Sequence, residues 1–252
     1  MKLRWFLWLG LLGLVALLVL TWPGQKIRLV FCDVGQGDGA VLVKGDFQMV
    51  FDTGPDNGKM VECLDRQMAF WDKRLEVIVL SHMDSDHSGG LKSLEKYFQI
   101  EKLYTNEQNN YSEKLNSSDM LRSDWFTFEV VSSGEGATDN DKSVVGILKV
   151  NQKQVLFTGD AGMEVEQRLV WRKKIVDDRS SVVERILKVS HHGSKTGTSQ
   201  ELLAAFRPKV AVISVGKNNR YGHPSSEVIK RLEENGVEIW RTDEMGEIKF
   251  DL

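Results

Sequence analysis

The feature that most constrains this chain is a dense cluster of candidate metal ligands that directly follows a short, mostly apolar run. Leu75–Leu80 has the composition of a buried strand. The six positions after Ser81 contain two histidines and two aspartates, and Gly89 and Gly90 then allow the backbone to turn away. An acidic helix cap rarely concentrates imidazoles and carboxylates in this way. We therefore interpret the segment as a metal-binding turn at the carboxyl end of a strand, with the candidate ligands His82, Asp84, Asp86 and His87.

Three other predicted strands also end in ionisable residues. Gln48–Asp52 ends in an aspartate, Gln154–Thr158 is followed by Asp160, and Ile186–Ser190 is followed by a pair of histidines. Taken alone, each aspartate is more typical of a turn or a helix cap. Taken together, they predict one rim of a layered sheet domain at which ligands converge. Carboxylates and imidazoles without a thiolate suit Zn²⁺ or harder ions such as Mn²⁺.

The order of the predicted elements indicates the α+β class. Strands dominate the early part of the chain as hairpins, and helices punctuate the later strands, which is not the pattern of a doubly wound parallel sheet. The polar segment Glu101–Asp124 is predicted to be a loop. The predicted strands are Ile27–Val34, Ala40–Lys44, Gln48–Asp52, Leu75–Ser81, Phe126–Ser132, Val144–Val150, Gln154–Thr158, Ile186–Ser190, Val210–Val215, Val237–Arg241 and Glu247–Asp251. The predicted helices are Lys59–Trp71, Ser88–Phe98, Met163–Trp171, Ser199–Phe206 and Ser225–Asn235.

Composition excludes several classes of protein. With 252 residues, of which 41% are hydrophobic and 27% charged, the chain can bury a core, so disorder is excluded. The formal net charge of −3 carries no general affinity for nucleic acid, which would have to depend on a local basic patch or on bound metal. Cys32 and Cys63 lack metal-ligand spacing. We interpret both as small buried hydrophobic residues, with a disulfide between them as the alternative.

The N-terminal segment predicts a membrane anchor. Trp5–Trp22 is uncharged, and eighteen helical residues span about 27 Å, which is enough to cross the hydrocarbon core of a bilayer. A cleaved secretory signal is the alternative, but no small-residue cleavage site precedes Pro23. Lys2 and Arg4 favour a cytoplasmic N-terminus, although Lys26 and Arg28 weaken the charge bias. We expect an anchor over residues 1–24 and an extracytoplasmic domain over residues 25–252.

Five motifs, in order along the chain, carry a family resemblance. They are Cys32–Asp38, Asn140–Ser143, Thr158–Asp160, His191–Lys195 and Tyr221–Pro224. Together with the ligand cluster, they resemble the metallo-β-lactamase-fold hydrolases and, more narrowly, the C-terminal domain of ComEC-type DNA-uptake channel proteins, over roughly residues 26–252. The resemblance implies a four-layered αβ/βα sandwich with a two-metal hydrolase site. In the ComEC type, this domain is thought to act as a nuclease on incoming DNA.

Two departures from the wider family affect the expected chemistry. Many relatives have His-x-His in the first ligand motif, whereas Asp84 takes the second place here. The third motif offers only Asn140, Asp141 and Ser143 in place of a further histidine. One ion is therefore expected to have more oxygen ligands, which favours Mn²⁺ as much as Zn²⁺. With one predicted span, the chain is not expected to conduct DNA by itself.

The resemblance, combined with charge, implies a role for each ionisable residue. His82 and Asp84 are expected to hold one ion. The other is expected to be held by Asp86, His87 and His191, and Asp160 is expected to bridge the two ions. Asp52 is expected to orient a ligand rather than bind metal. Of the two late histidines, alternation from Val189 favours His191 as the ligand. The expected metal ligands are His82, Asp84, Asp86, His87, Asp160 and His191, and the expected catalytic residues are His192, His223 and Asp52.

The predicted function is that of a membrane-anchored two-metal phosphodiesterase, a DNase acting on extracytoplasmic DNA in a competence-related role beside other DNA-uptake proteins. One alternative is the hydrolysis of another ester, of the phosphocholine or lactone type, and a second is a non-catalytic DNA-uptake accessory. The expected cofactors are two divalent ions, Zn²⁺ or Mn²⁺. The residues expected to bind substrate are Lys195, Ser143, Asn140, Lys217, Arg220 and Asp38.

Overall fold

The structure is a computed structural model that describes residues 8, 11–12, 24–175 and 184–252. Within these ranges, no helix combines the length and the apolar composition that a membrane crossing requires. The predicted anchor over Trp5–Trp22 lies outside the described residues, apart from Trp8, Leu11 and Leu12. The anchor and the domain boundary at residue 24 therefore stay predictions.

Two seven-stranded sheets form the centre of the domain. The first begins as antiparallel hairpins and continues in parallel, and the second combines an antiparallel half with a parallel half. In spatial order, the first sheet contains β16 (Ile248–Asp251), β1 (Arg28–Phe31), β2 (Gly39–Lys44), β3 (Phe47–Thr53), β5 (Val77–Val79), β7 (Leu103–Thr105) and β8 (Glu113–Lys114). The second contains β15 (Glu238–Arg241), β14 (Val210–Ile213), β13 (Glu184–Lys188), β12 (Lys153–Phe157), β11 (Val145–Val150), β10 (Thr127–Ser132) and β9 (Met120–Arg122). A small parallel pair consists of β4 (Arg74–Leu75) and β6 (Gln99–Ile100).

Three apolar clusters show that the domain has four layers. The central cluster lies between the two sheets, where the rings of Phe51 and Phe157 stack with centroids 4.2 Å apart. A second cluster joins the outer face of the first sheet to its helices, and a third does the same for the second sheet. The αβ/βα sandwich predicted from the sequence is therefore confirmed. The helices are α1 (Lys59–Gln67), α2 (Ser85–Ser88), α3 (Leu91–Tyr97), α4 (Met163–Trp171), α5 (Gln200–Phe206), α6 (Ser226–Glu234) and α7 (Thr242–Met245).

Local sequence explains where the helices begin and end. Ser199 and Ser225 cap α5 and α6, because their hydroxyl oxygens accept hydrogen bonds from Leu202 N and Val228 N. The helix predicted over Ser88–Phe98 is instead divided at two glycines. A Cβ on Gly89 would lie 2.3 Å from Ser85 O, and a Cβ on Gly90 would lie 2.3 Å from Thr53 O, so only glycine permits this close packing against the end of β3.

Two sequence expectations are wrong. The segment Glu101–Asp124 is not one loop but carries β7, β8 and β9, which are too short to show alternation; β8 and β9 form edges of the two sheets. Cys32 and Cys63 are buried, as expected, but they form a disulfide. Cys32 follows β1 and Cys63 lies on the inner face of α1, which brings their Cα atoms within 6.0 Å.

Candidate metal centre

The candidate site lies at the edge where parallel strands of both sheets end. In the first sheet, β3 and β5 are parallel, and Asp52 and His82 lie at or just after their carboxyl ends. In the second sheet, β12 and β13 are parallel, and Asp160 and His192 follow them. Because parallel strands end at the same edge of a sheet, four segments distant in sequence deliver their polar residues to one place. The short helix α2 adds Asp86 and His87.

Three imidazoles point their Nε2 atoms at the same small volume. His87 Nε2 lies 3.1 Å from Asp160 Oδ1, and His192 Nε2 lies 3.8 Å from the same oxygen. The rings of His82 and His87 have centroids 4.2 Å apart. Among the described residues, the Nε2 atoms of His82, His87 and His192 and Oδ1 of Asp160 are buried without a hydrogen bond of acceptable geometry. Such buried, unpartnered donors and acceptors are rare in folded proteins, and here they converge.

These residues fit a metal centre. His82, His87 and Asp160 form one group whose ligand atoms all lie within 4.8 Å of one another, and Asp86, His87 and His192 form another. The donor set consists of imidazole nitrogens and carboxylate oxygens, which suits Zn²⁺ and Mn²⁺. Ligand groups of this kind, buried and overlapping, agree with a fold that binds divalent metal ions.

Each imidazole is held from behind through its Nδ1 atom. His87 Nδ1 lies 2.8 Å from Asp52 Oδ2, and Asp52 in turn accepts hydrogen bonds from the backbone N and the hydroxyl of Ser81, at 2.6 Å and 2.8 Å. His192 Nδ1 donates to Ser214 O at 3.0 Å and lies 3.1 Å from Asp38 Oδ1. Such partners fix the orientation of a ligand ring. Asp52 therefore contacts the ring that it is expected to orient.

His82 is held differently. Its Nδ1 atom lies 3.0 Å from Ser81 Oγ and 3.4 Å from Ser143 Oγ. Ser143, which the sequence analysis assigns to substrate, is fully buried, and its Oγ also accepts a hydrogen bond from Asp160 N at 3.3 Å. Its hydroxyl is therefore turned toward the centre's own residues.

The paired histidines lie in places opposite to those that alternation predicts. His192 is 1% exposed with Nε2 directed inward, whereas the side chain of His191 is 30% exposed, and its Nε2 lies 3.5 Å from Asp160 Oδ2. The reason is local: β13 ends at Lys188, and both histidines have left-handed backbone conformations, with φ of 50° and 53°. A strand alternation counted from Val189 does not apply to such a turn.

The remaining predicted residues differ in how far they are exposed to solvent. The side chain of Asp84 is 53% exposed, and its Oδ2 lies 3.4 Å from His82 Nε2. The ring of His223 lies 5.7 Å from that of His191 and stacks on Tyr221. Lys217 and His223 line the same open cavity. Lys195 and Arg220 are exposed, Asn140 lies in the 3₁₀ turn Asn140–Lys142, and Asp38 is buried behind His192.

The electrostatics show how strongly the histidines and carboxylates interact. Burial alone would lower the pKa of His87, but the carboxylates of Asp160 and Asp52 outweigh it and raise the pKa well above its usual value. For His192, burial is likewise outweighed, by Asp38 and Asp160, and the pKa rises to about 9. His82 differs, because burial and the neighbouring His87 lower its pKa. Despite burial, the cationic rings hold the pKa of Asp160 well below its usual value.

The sequence analysis missed several contributors to the site, including Ser81, whose hydroxyl contacts Asp52 and His82. Lys188, at the end of β13, is 2% exposed and forms a 2.7 Å ion pair with Asp38. A lysine inside the apolar run Ile186–Val189 was the available signal, because a charged side chain in a buried strand needs a partner. The backbone carbonyl of Ser214 gave no signal, since every residue has one.

Comparisons with known proteins place the chain in one protein family. The family model described as "Metallo-beta-lactamase superfamily" matches residues 32–217. The chain is 33% identical to "Recombination protein 2" of Haemophilus influenzae over 87% of its length, and 30% identical to "Competence protein ComA" of Neisseria gonorrhoeae over 91% of its length. It spans only 28% and 33% of these relatives' own lengths. The structure is similar to that of the metallo-β-lactamase fold protein YhfI from Bacillus subtilis, with a TM-score of 0.59, 10% identity and coverage of 89% of this chain and 100% of that one.

Proposed function

Because this chain is a member of the metallo-β-lactamase superfamily, whose members are generally metal-dependent hydrolases, we propose that it is a two-metal phosphodiesterase that cleaves DNA. The observation that carries the proposal is the convergence of four buried, unpartnered ligand atoms of His82, His87, His192 and Asp160. The names of the relatives, which refer to recombination and competence, support DNA as the substrate.

We assign the ligands from the observed distances. His82 and Asp160 would hold one ion, with Asp84 near His82, and Asp86, His87 and His192 would hold the other; Asp160 is close enough to contribute to both. This assignment exchanges His191 for His192 relative to the sequence-based expectation. When bound, divalent ions supply Lewis-acid chemistry, namely the activation of water as a nucleophile and the neutralisation of charge on a phosphodiester.

The residues of this chain supply binding, orientation and proton transfer. Asp52 and Asp38 hold the rings of His87 and His192 in fixed orientations, which preorganises the centre. His223 is half-buried at the opening, and its Nδ1 atom has no hydrogen-bond partner among the described residues. We assign to it proton transfer beside the leaving oxygen; burial and the rings of His191, 5.7 Å away between centroids, and His192 lower its pKa, which favours the neutral ring in the metal-free protein.

Binding of the polyanion depends on the basic residues around the opening. Lys217 and Arg220 lie on the same loop as His223, and Lys195 follows the paired histidines. All three are exposed, so they are free to contact phosphates without the cost of burial. Because such contacts release counterions, binding is expected to weaken steeply as the salt concentration rises.

We further propose that the domain acts outside the cytoplasmic membrane, anchored by the segment Trp5–Trp22, beside other DNA-uptake proteins. The Cys32–Cys63 disulfide supports this location, because disulfides form and persist in oxidising compartments. Protease added outside intact spheroplasts is expected to digest the domain and leave the N-terminal residues. Protection of the domain from protease would reverse this topology.

A hydrolysis panel on the full chain tests the activity. We expect Mn²⁺- or Zn²⁺-dependent cleavage of DNA and of bis-p-nitrophenyl phosphate. Asp160→Asn is expected to abolish both activities, because it removes a charged ligand shared by the two ions. Replacing Lys195, Lys217 and Arg220 together by alanine is expected to raise KM for DNA only.

Asp46→Asn is the matched control, since Asp46 is an exposed turn residue outside the site, and its activity should equal that of the wild type. Full activity in a chelated sample or in Asp160→Asn would overturn the mechanism. Cleavage of the small ester without cleavage of DNA at any metal or salt concentration would show that the protein is a phosphodiesterase whose substrate is not DNA. Inactivity on both esters with metal bound would point to a lactone substrate or a non-catalytic DNA-uptake accessory.

A further inference from the structure

A buried lysine lies directly behind the candidate metal centre. Lys188 is the last residue of β13, and its side chain is only 3% exposed. Its ammonium Nζ atom lies 2.7 Å from Asp38 Oδ2 and donates a hydrogen bond to Val189 O at 2.8 Å. Lysine is almost never fully buried unless it is paired, because removing an ammonium group from water is costly. The position therefore calls for an explanation.

The partner of this lysine connects it to a proposed metal ligand. Asp38 is 4% exposed and directly precedes β2. While its Oδ2 atom pairs with Lys188, its Oδ1 atom lies 3.1 Å from Nδ1 of His192. On the other side of the same ring, Nε2 of His192 lies 3.3 Å from Asp86 Oδ2. Lys188, Asp38 and His192 thus form a continuous chain of contacts that ends at the centre.

Asp38 is also close enough to the centre to bind a metal ion directly. Its carboxylate oxygens lie within 4.8 Å of the ligand atoms of Asp160 and His192, and within the same distance of those of Asp52 and His87. A carboxylate so close to a divalent ion is itself a potential ligand. A charge-assisted hydrogen bond from a fixed cation holds such a carboxylate in one place.

The surroundings exclude a direct role for Lys188 in binding substrate. Lys188 and Asp38 border an internal cavity between the sheets, whose walls include the rings of Phe31, Phe51 and Phe157. Because both side chains are buried, water screens the attraction between the two charges only weakly, and the ammonium group is out of reach of a polyanion. In this it differs from the exposed Lys195.

We propose that Lys188 is a positioning residue of the metal centre: its ion pair holds Asp38 against Nδ1 of His192, and so directs Nε2 of His192 at the metal. The inference rests on the proposed two-metal site. An alternative is that the pair only stabilises the fold. Buried ion pairs can often be replaced by apolar residues without loss of stability, so the two roles can be separated.

The test measures metal binding rather than hydrolysis, on the full chain prepared without metal. Mn²⁺ binding, followed by the electron paramagnetic resonance signal of free Mn²⁺, gives the affinity, and Co²⁺ absorption gives the ligand geometry. We expect Lys188→Met to weaken binding of the tighter ion by about 10- to 100-fold and to change the Co²⁺ spectrum. The variants do not alter Ser214 O, which accepts a hydrogen bond from His192 Nδ1 in this structure, so a loss of affinity reports on the carboxylate.

A double variant, Asp38→Leu with Lys188→Met, separates positioning from stability. It removes both charges, so the denaturant midpoint is expected to recover toward the wild-type value, while Mn²⁺ affinity stays reduced. This variant also carries the test if Lys188→Met alone does not fold. Lys153→Met is the matched control, because Lys153 pairs at 3.0 Å with Glu184 at the other end of β13, away from the centre.

The possible outcomes are distinct. Unchanged affinity in Lys188→Met, or an affinity that recovers together with stability in the double variant, would overturn the positioning role. Tighter binding in Lys188→Met would mean that Asp38 has become a ligand, which also contradicts it. If the wild-type chain binds no divalent ion, the proposed function itself fails, and this inference fails with it.

Discussion

The two halves of the candidate metal centre hold their imidazoles by different means. In the half formed by His87 and His192, a carboxylate lies behind each ring, Asp52 at 2.8 Å and Asp38 at 3.1 Å. In the half formed by His82, the ring has only hydroxyl partners, at 3.0 Å and 3.4 Å. A carboxylate behind a ligand imidazole raises its basicity and fixes its orientation. For the proposed two-metal centre, the comparison predicts unequal affinities, with the tighter ion in the carboxylate-supported half.

The carboxylates on the solvent side of the two halves also differ, and again the half that contains His82 is the less firmly held one. Asp86, in the carboxylate-supported half, lies 3.3 Å from His192 Nε2 and is 31% exposed, whereas Asp84 beside His82 is 53% exposed. A more exposed carboxylate keeps more of its hydration and is free to move. The half that contains His82 is therefore the weaker one in both its inner and its outer residues.

The largest expected effect comes from removing a carboxylate support. Asp52→Asn keeps the size of the side chain, and Asn tolerates the left-handed backbone at this position, where φ is 55°. We expect the affinity for the tighter ion to fall by about 10- to 100-fold. Ser143→Ala, in the hydroxyl-supported half, should affect the weaker ion more than the tighter one, which it reaches only through the hydrogen bond from Asp160 N to its hydroxyl. Isothermal titration with Mn²⁺ measures both affinities, and equal losses for the tighter ion in both variants would refute the asymmetry.

A smaller effect is expected from pH. In the metal-free protein, the pKa of His192 is raised to about 9, and that of His87 is also raised, whereas that of His82 is lowered. A raised pKa means that the protonated ring stabilises the folded state below its unfolded value of about 6.5, and that this contribution is lost as pH rises through the folded value. His82, whose pKa is lowered, does not stabilise the folded state through a protonated ring.

The corresponding measurement is the Tm of metal-free protein between pH 6.5 and pH 9.5, which is expected to fall by several degrees. Bound metal requires neutral rings, so the increase in Tm on adding Zn²⁺ should grow over the same range. His192→Gln is expected to flatten the decrease seen without metal, and His82→Gln is not. A metal-free Tm that rises with pH in this window would contradict the assigned charges.

Much of the fold could be predicted from the sequence because its core strands have clear apolar patterns. The strands around Phe51 and Phe157 were predicted within a few residues, as were α5 and α6, whose serine caps are local signals. The short strands β7 to β9 could not be found, since runs of two or three residues are too short to show alternation. Their existence depends on pairing with the neighbouring strands, which is not a local property.

In the candidate site, too, local features were predictable from the sequence and tertiary contacts were not. The density of ligands from His82 to His87 is a local signal, and the structure brings those residues together with Asp160. The orientation of the paired histidines depends on a left-handed turn, and the pairing of Lys188 with Asp38 joins segments 150 residues apart. Contacts of this kind follow from tertiary packing, so spacing along the chain does not predict them.

Anomalous diffraction from crystals soaked with Mn²⁺ tests the central claim most directly. The account predicts two peaks per chain, one bound by His82 Nε2 and one bound by Asp86, His87 Nε2 and His192 Nε2, with the Asp160 carboxylate between them and the carboxylate-supported peak occupied first. The Asp160→Asn variant should lose at least one peak. A peak bound by His191 in place of His192, or no peak at this edge of the sheets, would contradict the account.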